Sequence, residues 1–204
     1  PPPADARGRQ VKILYATQKY STLPNTQLVV LDPATNAETI LPLNQAADGS
    51  FDAAGKTLFF TRLPFQGSYT KRYKGGTAQN LWIFDLGGKE AAPLTADYAG
   101  TSKNPMVWQD WVYFLSDRDG TMNIWSMDLK GGGLKQHTFH KGYDASSPSL
   151  HDGRIAYQLV ADIHVFDIAS GKDAGLAVTL PSDFDQMREK WVTKPLDYLT
   201  TAHV

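Results

Sequence analysis

The 204 residues are 42% hydrophobic and 20% charged, enough apolar content to bury a sizeable core and to exclude a disordered chain. Lys+Arg 20 against Asp+Glu 21 leaves a formal net charge of -1, with no basic field for nucleic acid or an anionic membrane surface. Cysteine is absent, which excludes a disulfide framework, a zinc-thiolate site and a thiol nucleophile, and no run approaches the ~18 apolar residues of a bilayer span.

Pro1 to Gln10 is polar and proline-led and is expected to form an arm or an incomplete outer strand. Pro1 to Arg7 lacks the basic-then-apolar order of a signal peptide. Val11-Lys12-Ile13-Leu14-Tyr15 reads as a first strand, Thr26 to Leu31 as its answer, and Glu38 to Leu43 as a third after the turn Asp32-Pro33-Ala34-Thr35-Asn36. This first unit lacks an innermost strand. A second opens at Asp48-Gly49-Ser50-Phe51-Asp52 and turns through Ala53 to Lys56 into Thr57-Leu58-Phe59-Phe60-Thr61. Its next hairpin is enlarged, running from Arg62 to Gln79. Long loops on a rigid scaffold either bind or pack; packing through Phe65, Tyr69 and Tyr73 is the expected role, with binding as the alternative.

The most legible unit is Asn104 to Thr138. Asn104-Pro105-Met106-Val107, Trp111-Val112-Tyr113-Phe114-Leu115, Asn123 to Leu129 and Leu134 to Thr138 are short runs separated by Asp/Gly turns, as in a four-stranded antiparallel unit. A fourth unit follows as Ser147 to Leu150, Arg154 to Gln158, Asp162 to Ile168, a turn at Ala169 to Lys172, and a last strand predicted at Leu176 to Leu180. Pro181 to Trp191 suits a helical turn or crossing segment ended by Pro195, and Leu199 to Val204 resumes strand character. The lack of an initiator Met and this strand-like end predict a fragment of a longer chain.

One signature ties the units together: Trp82-Ile83-Phe84-Asp85, Trp125-Ser126-Met127-Asp128 and His164-Val165-Phe166-Asp167, with Leu28 to Asp32 as a further copy. The aspartates at 32, 85, 128 and 167 are separated by 53, 43 and 39 residues. Four strands per ~40 to 45 residues is the period of a propeller blade. The fold class is therefore all-β, a β-propeller with four-stranded antiparallel blades of which about four are present. Blades are assigned to 8–45, 46–100, 101–146 and 147–181, with 182–204 as an exit segment.

The sequence holds no Gly-x-Ser-x-Gly, phosphate-binding glycine loop or His-Glu-x-x-His, so no catalytic residue, metal ligand or cofactor is assigned. His137 and His140 follow a strand, where three-residue spacing separates side chains, and are expected to be structural or surface residues. Asp117-x-Asp119-Gly120 resembles half a calcium loop, but lacks the remaining ligands and reads as a hairpin turn. The repeated aspartates are expected to cap turns, and Trp82, Trp108, Trp111 and Trp125 to pack between blades. The one basic cluster, Lys71-Arg72-Tyr73-Lys74, is the candidate binding site for a carboxylate or phosphate, weighed against a solvated loop.

Tyr73 to Ile83, Asn104-Pro105-Met106, Val112 to Gly120, Asn123 to Asp128, Leu180-Pro181-Ser182-Asp183-Phe184 and Lys194 to Leu199 together resemble the amino-terminal propeller of tricorn-type proteases and its passage to a second propeller. The resemblance implies a six-bladed disc within a large serine peptidase carrying a PDZ domain and a distant catalytic region. It implies peptides or unfolded segments and the other domains of the parent as partners, with no nucleic acid and no membrane. A cytoplasmic parent is expected, a periplasmic or secreted one being the alternative. Open edges invite a homo-oligomer. Rival readings are a stand-alone TolB-like interaction propeller and a sugar- or metal-using propeller enzyme.

Overall fold

The computed structural model describes residues 11–23, 25–64, 72–179, 181 and 187–198. Among them the runs read above form one three-stranded and three four-stranded antiparallel sheets. The first sheet contains β1 (Ile13–Thr17), β2 (Gln27–Asp32) and β3 (Ala37–Ile40). The second contains β4 (Ala47–Phe51), β5 (Thr57–Thr61), β6 (Leu81–Asp85) and β7 (Ala92–Pro93). The third contains β8 (Ser102–Trp108), β9 (Trp111–Ser116), β10 (Asn123–Asp128) and β11 (Lys135–Gln136). The fourth contains β12 (Ala145–His151), β13 (Arg154–Leu159), β14 (Asp162–Asp167) and β15 (Lys172–Leu176). Each four-stranded sheet is a meander in chain order, and β4, β8 and β12 stand as neighbours on the inner side, so the sheets are blades.

Period-two alternation explains how blades stack. In β5, Leu58 and Phe60 enter a core with Leu28 and Leu41 of the first blade, while Phe59 between them enters a core with Val112 and Phe114 of the third. In β9 the parity repeats: Val112 and Phe114 face the second blade, whereas Tyr113 and Leu115 join Ile155, Tyr157 and Phe166 of the fourth. Strands apolar on both faces are what a blade sandwiched between two others requires.

Three innermost strands share a second device. β4, β8 and β12 each shift register against their neighbour, between Ala47 and Ser50, Lys103 and Met106, and Ser146 and Ser149. Asp48, Asn104 and Ser147, each following the first residue of its pair, have φ of 43°, 53° and 49°. Asp and Asn tolerate this left-handed geometry better than most side chains, and a bulge there bends the strand near the axis.

Two sequence expectations need correction. The last strand of blade four begins at Lys172, not Leu176, because Asp167 Oδ1 accepts bonds from Ser170 N at 2.8 Å and Ser170 Oγ at 2.7 Å, closing the turn so that pairing resumes at once. Pro195 opens a 3-10 turn, Pro195–Tyr198, rather than ending one, since its fixed φ suits a first helical position. The proposed strand Leu199 to Val204, the arm Pro1 to Gln10, and Phe65, Tyr69 and Lys71 of the enlarged loop lie outside the described residues. No helix among the described residues is long and apolar enough to cross a membrane.

Candidate functional site

The basic cluster divides. Lys71 is outside the described residues, and Arg72 donates from Nε to the carbonyl of Gly120 at 2.9 Å, which fastens the second blade's loop to the β9–β10 hairpin. Tyr73 folds over Gly75, where any Cβ would collide with its ring, and Lys74 is exposed. Arg72 is thus engaged in an interblade contact, while Lys74 remains on the surface.

The aspartates of the turns are fully employed. Asp128 Oδ1 accepts from Lys130 N and Gly132 N, both at 2.8 Å, and these bonds hold its carboxyl below the usual carboxylate range. Asp32 caps Ala34 N at 2.9 Å, whereas Asp85 accepts from Thr57 Oγ1 across the strand pair at 3.0 Å. In Ser116-Asp117-Arg118-Asp119-Gly120, Asp117 Oδ1 accepts from Thr101 N at 2.9 Å and Tyr98 Oη at 3.0 Å. Asp119 accepts from Asn123, Gln136 and Lys141. Burial, aided by Asp117, pushes the Tyr98 hydroxyl up to about 12. Arg118 pairs with Asp97 at 3.2 Å and lies over the Tyr98 ring, beside a cleft of about 330 Å³ lined by Leu94, Asp97, Met127 and Leu134 among others.

Among the described residues, a cluster of titratable side chains lies instead on the seam between blades three and four. His140, on the connector leaving β11, places Nε2 2.7 Å from Tyr157 Oη of β13 and 3.3 Å from Asp173 Oδ2 of β15. Tyr157 Oη donates to Asp173 Oδ1 at 2.8 Å. His164 of β14 sets Nδ1 3.6 Å from Asp173 Oδ2, and its ring meets that of His140 edge-on at 5.5 Å. Burial holds His140 below its ordinary value despite the pull of Asp173, so the pair is not charged as an ion pair at neutral pH. Burial and the bond to Asp173 push the Tyr157 hydroxyl up. His137 is separate: it shares a bond of 2.8 Å with Ser126 Oγ and sits between Tyr113 and Phe166.

Sequence spacing could not pair His140 with His164, which are joined only by the stacking of blades. The repeat did hold one signal. Trp82 pairs with Phe60 and Trp125 with Phe114; at the matching register of blade four stand His164 and Tyr157. A pair of rings with hydrogen-bonding atoms replaces a Trp–Phe pair. Asp173 escapes a sequence reading because Lys172-Asp173-Ala174-Gly175 has little intrinsic β preference, although it pairs with β14.

Radially meandering blades with paired cores, bulged inner strands and Asp-capped turns define a β-propeller assembled from tandem repeats. Residues 6–172 match the family model described as the Tricorn protease N-terminal beta propeller domain. The chain belongs to that family. Over 134 residues it is 36% identical to a tricorn protease homolog of Saccharolobus solfataricus, a match covering 66% of this chain and 12% of that relative. The solved tricorn protease superposes with a TM-score of 0.71 at 23% identity, covering 88% of this chain and 17% of that one. TolB of Acinetobacter baumannii superposes with a TM-score of 0.61 at 21% identity, covering 82% of this chain and 41% of that one. The chain therefore spans roughly an eighth of the tricorn homolog it matches.

Proposed function

We propose that this chain is a non-catalytic propeller portion of a tricorn-like serine peptidase that handles peptides for proteolysis by other domains of its parent. The observation that carries the reading is the family match over residues 6–172, on a chain covering so small a share of a much longer protease homolog. The blade division given above, a cytoplasmic parent and Lys74 with its neighbours as a peptide-carboxylate contact belong to the same reading. So does a six-bladed disc: the face of blade four turned away from blade three carries Ile163 and Leu176, 45% and 53% exposed, apolar positions suited to a further blade or a second copy.

The test is to recover the native product with an antibody to this chain and to measure hydrolysis of fluorogenic peptides of increasing length. A product several-fold larger than 22.5 kDa that cleaves longer peptides, and loses this when the antibody fragment occupies the propeller, is the expected result. A product of the chain's own mass without peptidase activity would overturn it. The TolB-like fold then favours the stand-alone interaction propeller.

A further inference from the structure

We propose that His140 Nε2, His164 Nδ1 and Asp173 Oδ2 form a binding site for a divalent late transition ion, Zn²⁺ foremost, that clasps the blade-three connector to blade four. All three ligand atoms lie within 4.8 Å of one another. In a tetrahedral zinc site with bonds of about 2.0–2.1 Å, ligand atoms stand ~3.3 Å apart. The pairs His140 Nε2–Asp173 Oδ2 at 3.3 Å and His164 Nδ1–Asp173 Oδ2 at 3.6 Å are already near that spacing.

His164 supplies a second observation. Its Nδ1 is a buried nitrogen with no hydrogen-bond partner, a costly arrangement unless something else occupies the lone pair. Opposite it on β15 stands Gly175, where an added Cβ would come to 3.6 Å from Nε2, so nothing but a hydrogen crowds the imidazole from that strand.

The surroundings are arranged as metal ligands require. Tyr157 donates to Asp173 Oδ1 and thereby leaves Oδ2, the oxygen facing both imidazoles, as the free donor. With the Tyr157 proton on Asp173 Oδ1, the 2.7 Å contact between His140 Nε2 and Tyr157 Oη is donated by Nε2–H, so ligation by Nε2 requires that this proton move to Nδ1. The side chains are 19%, 20% and 22% exposed, which allows entry from solvent and leaves a fourth position for water or Tyr157. Two imidazoles and one carboxylate favour zinc, nickel or copper; calcium and magnesium demand more oxygens than this site offers. The same residues depart from the repeat, where blades two and three carry Trp and Phe. The rings still pack there, Tyr157 and His164 at 5.6 Å between centroids, but they bring ligand nitrogens to the seam in place of an indole.

The experiment is Zn²⁺ titration of the whole chain against a chromogenic zinc chelator, with thermal unfolding measured in Zn²⁺, Ca²⁺ and Mg²⁺ and absorbance recorded on adding Co²⁺. Expected are one equivalent of Zn²⁺, a raised midpoint in Zn²⁺ alone, and a Co²⁺ visible spectrum of low-coordinate nitrogen and oxygen ligation. His164→Gln and Asp173→Asn, each checked for retained β circular dichroism, should weaken Zn²⁺ by roughly tenfold or more. His151→Gln, an exposed histidine on β12, should not. Equal stabilisation by all three ions, a Co²⁺ spectrum like that of the free ion, or wild-type affinity in His164→Gln would overturn the proposal. The Co²⁺ spectrum is read on the unaltered chain and so decides the matter even if a variant fails to fold.

Discussion

His137 shows how one side chain on the seam couples stability to pH. Its ring is packed between Tyr113 and Phe166, and this burial, with a smaller push from Lys135, lowers its pKa from 6.5 to about 4. The folded chain therefore binds this proton less readily than the unfolded chain. The stabilisation is complete above the unfolded value of 6.5 and is lost as pH falls through about 4. Because the ring is partly hydrated, a contribution of about 1–2 kcal/mol is the appropriate scale. Urea unfolding across this range should show stability declining on acidification, before the carboxylates with lowered pKa, such as Asp119 and Asp128, titrate. His137→Gln keeps a partner for Ser126 Oγ and should flatten that decline; an unchanged slope would assign it to another group, His140 being the first candidate.

At the level of the blade, a threonine-asparagine clamp closes the outer hairpin and recurs. Ile124 N donates to the buried Thr138 Oγ1 at 2.9 Å, and that hydroxyl donates to Asn123 Oδ1 at 2.9 Å. In the preceding blade Leu81 N, Thr95 Oγ1 and Asn80 Oδ1 repeat the arrangement at 2.9 and 3.4 Å. Asn123 also accepts from His140 N at 2.9 Å, so the clamp sets the height of the connector that carries His140. Thr138→Val strands a buried N–H and should cost about 1–3 kcal/mol in urea unfolding. Asn123→Ala removes more partners, should cost at least as much, and should weaken zinc through His140; stability within 0.5 kcal/mol of wild type, roughly the range of an ordinary surface substitution, would show the clamp to be redundant. Much at this scale was legible beforehand. The Asp turns and short aromatic runs announce themselves through local chemistry, as at Asp128 and Asp167, whose caps follow from residues two to four positions away. The meeting of His140, His164 and Asp173 was not legible, because it depends on blade stacking and on a Lys172-Asp173-Ala174-Gly175 strand with little intrinsic β preference.

For the molecule as a whole, cohesion comes from faces shared by successive blades rather than from one central core. Phe114 is buried against Phe59, Leu81 and Met127 in the seam of blades two and three. Ile163 of β14 matches Ile124 of β10, which is fully buried in the seam of blades three and four, yet on the outward face of blade four Ile163 is 45% exposed. If that face is bare in solution, the two sites should respond very differently. Phe114→Ala opens a cavity between two blades and should cost about 3–5 kcal/mol, whereas Ile163→Ala should cost well under 1 kcal/mol. If instead a second copy of the chain covers blade four, Ile163→Ala should approach the cost of a core truncation, and unfolding should depend on protein concentration. Sedimentation of wild type and Ile163→Asp at several concentrations separates the cases: a monomer for both means an uncovered face, while a dimer dispersed by the aspartate means that copies of this chain supply the missing neighbour. A solenoid-like array of pairwise seams predicts the first outcome to come with graded unfolding, since loss of the fourth blade leaves the seam at Phe114 intact.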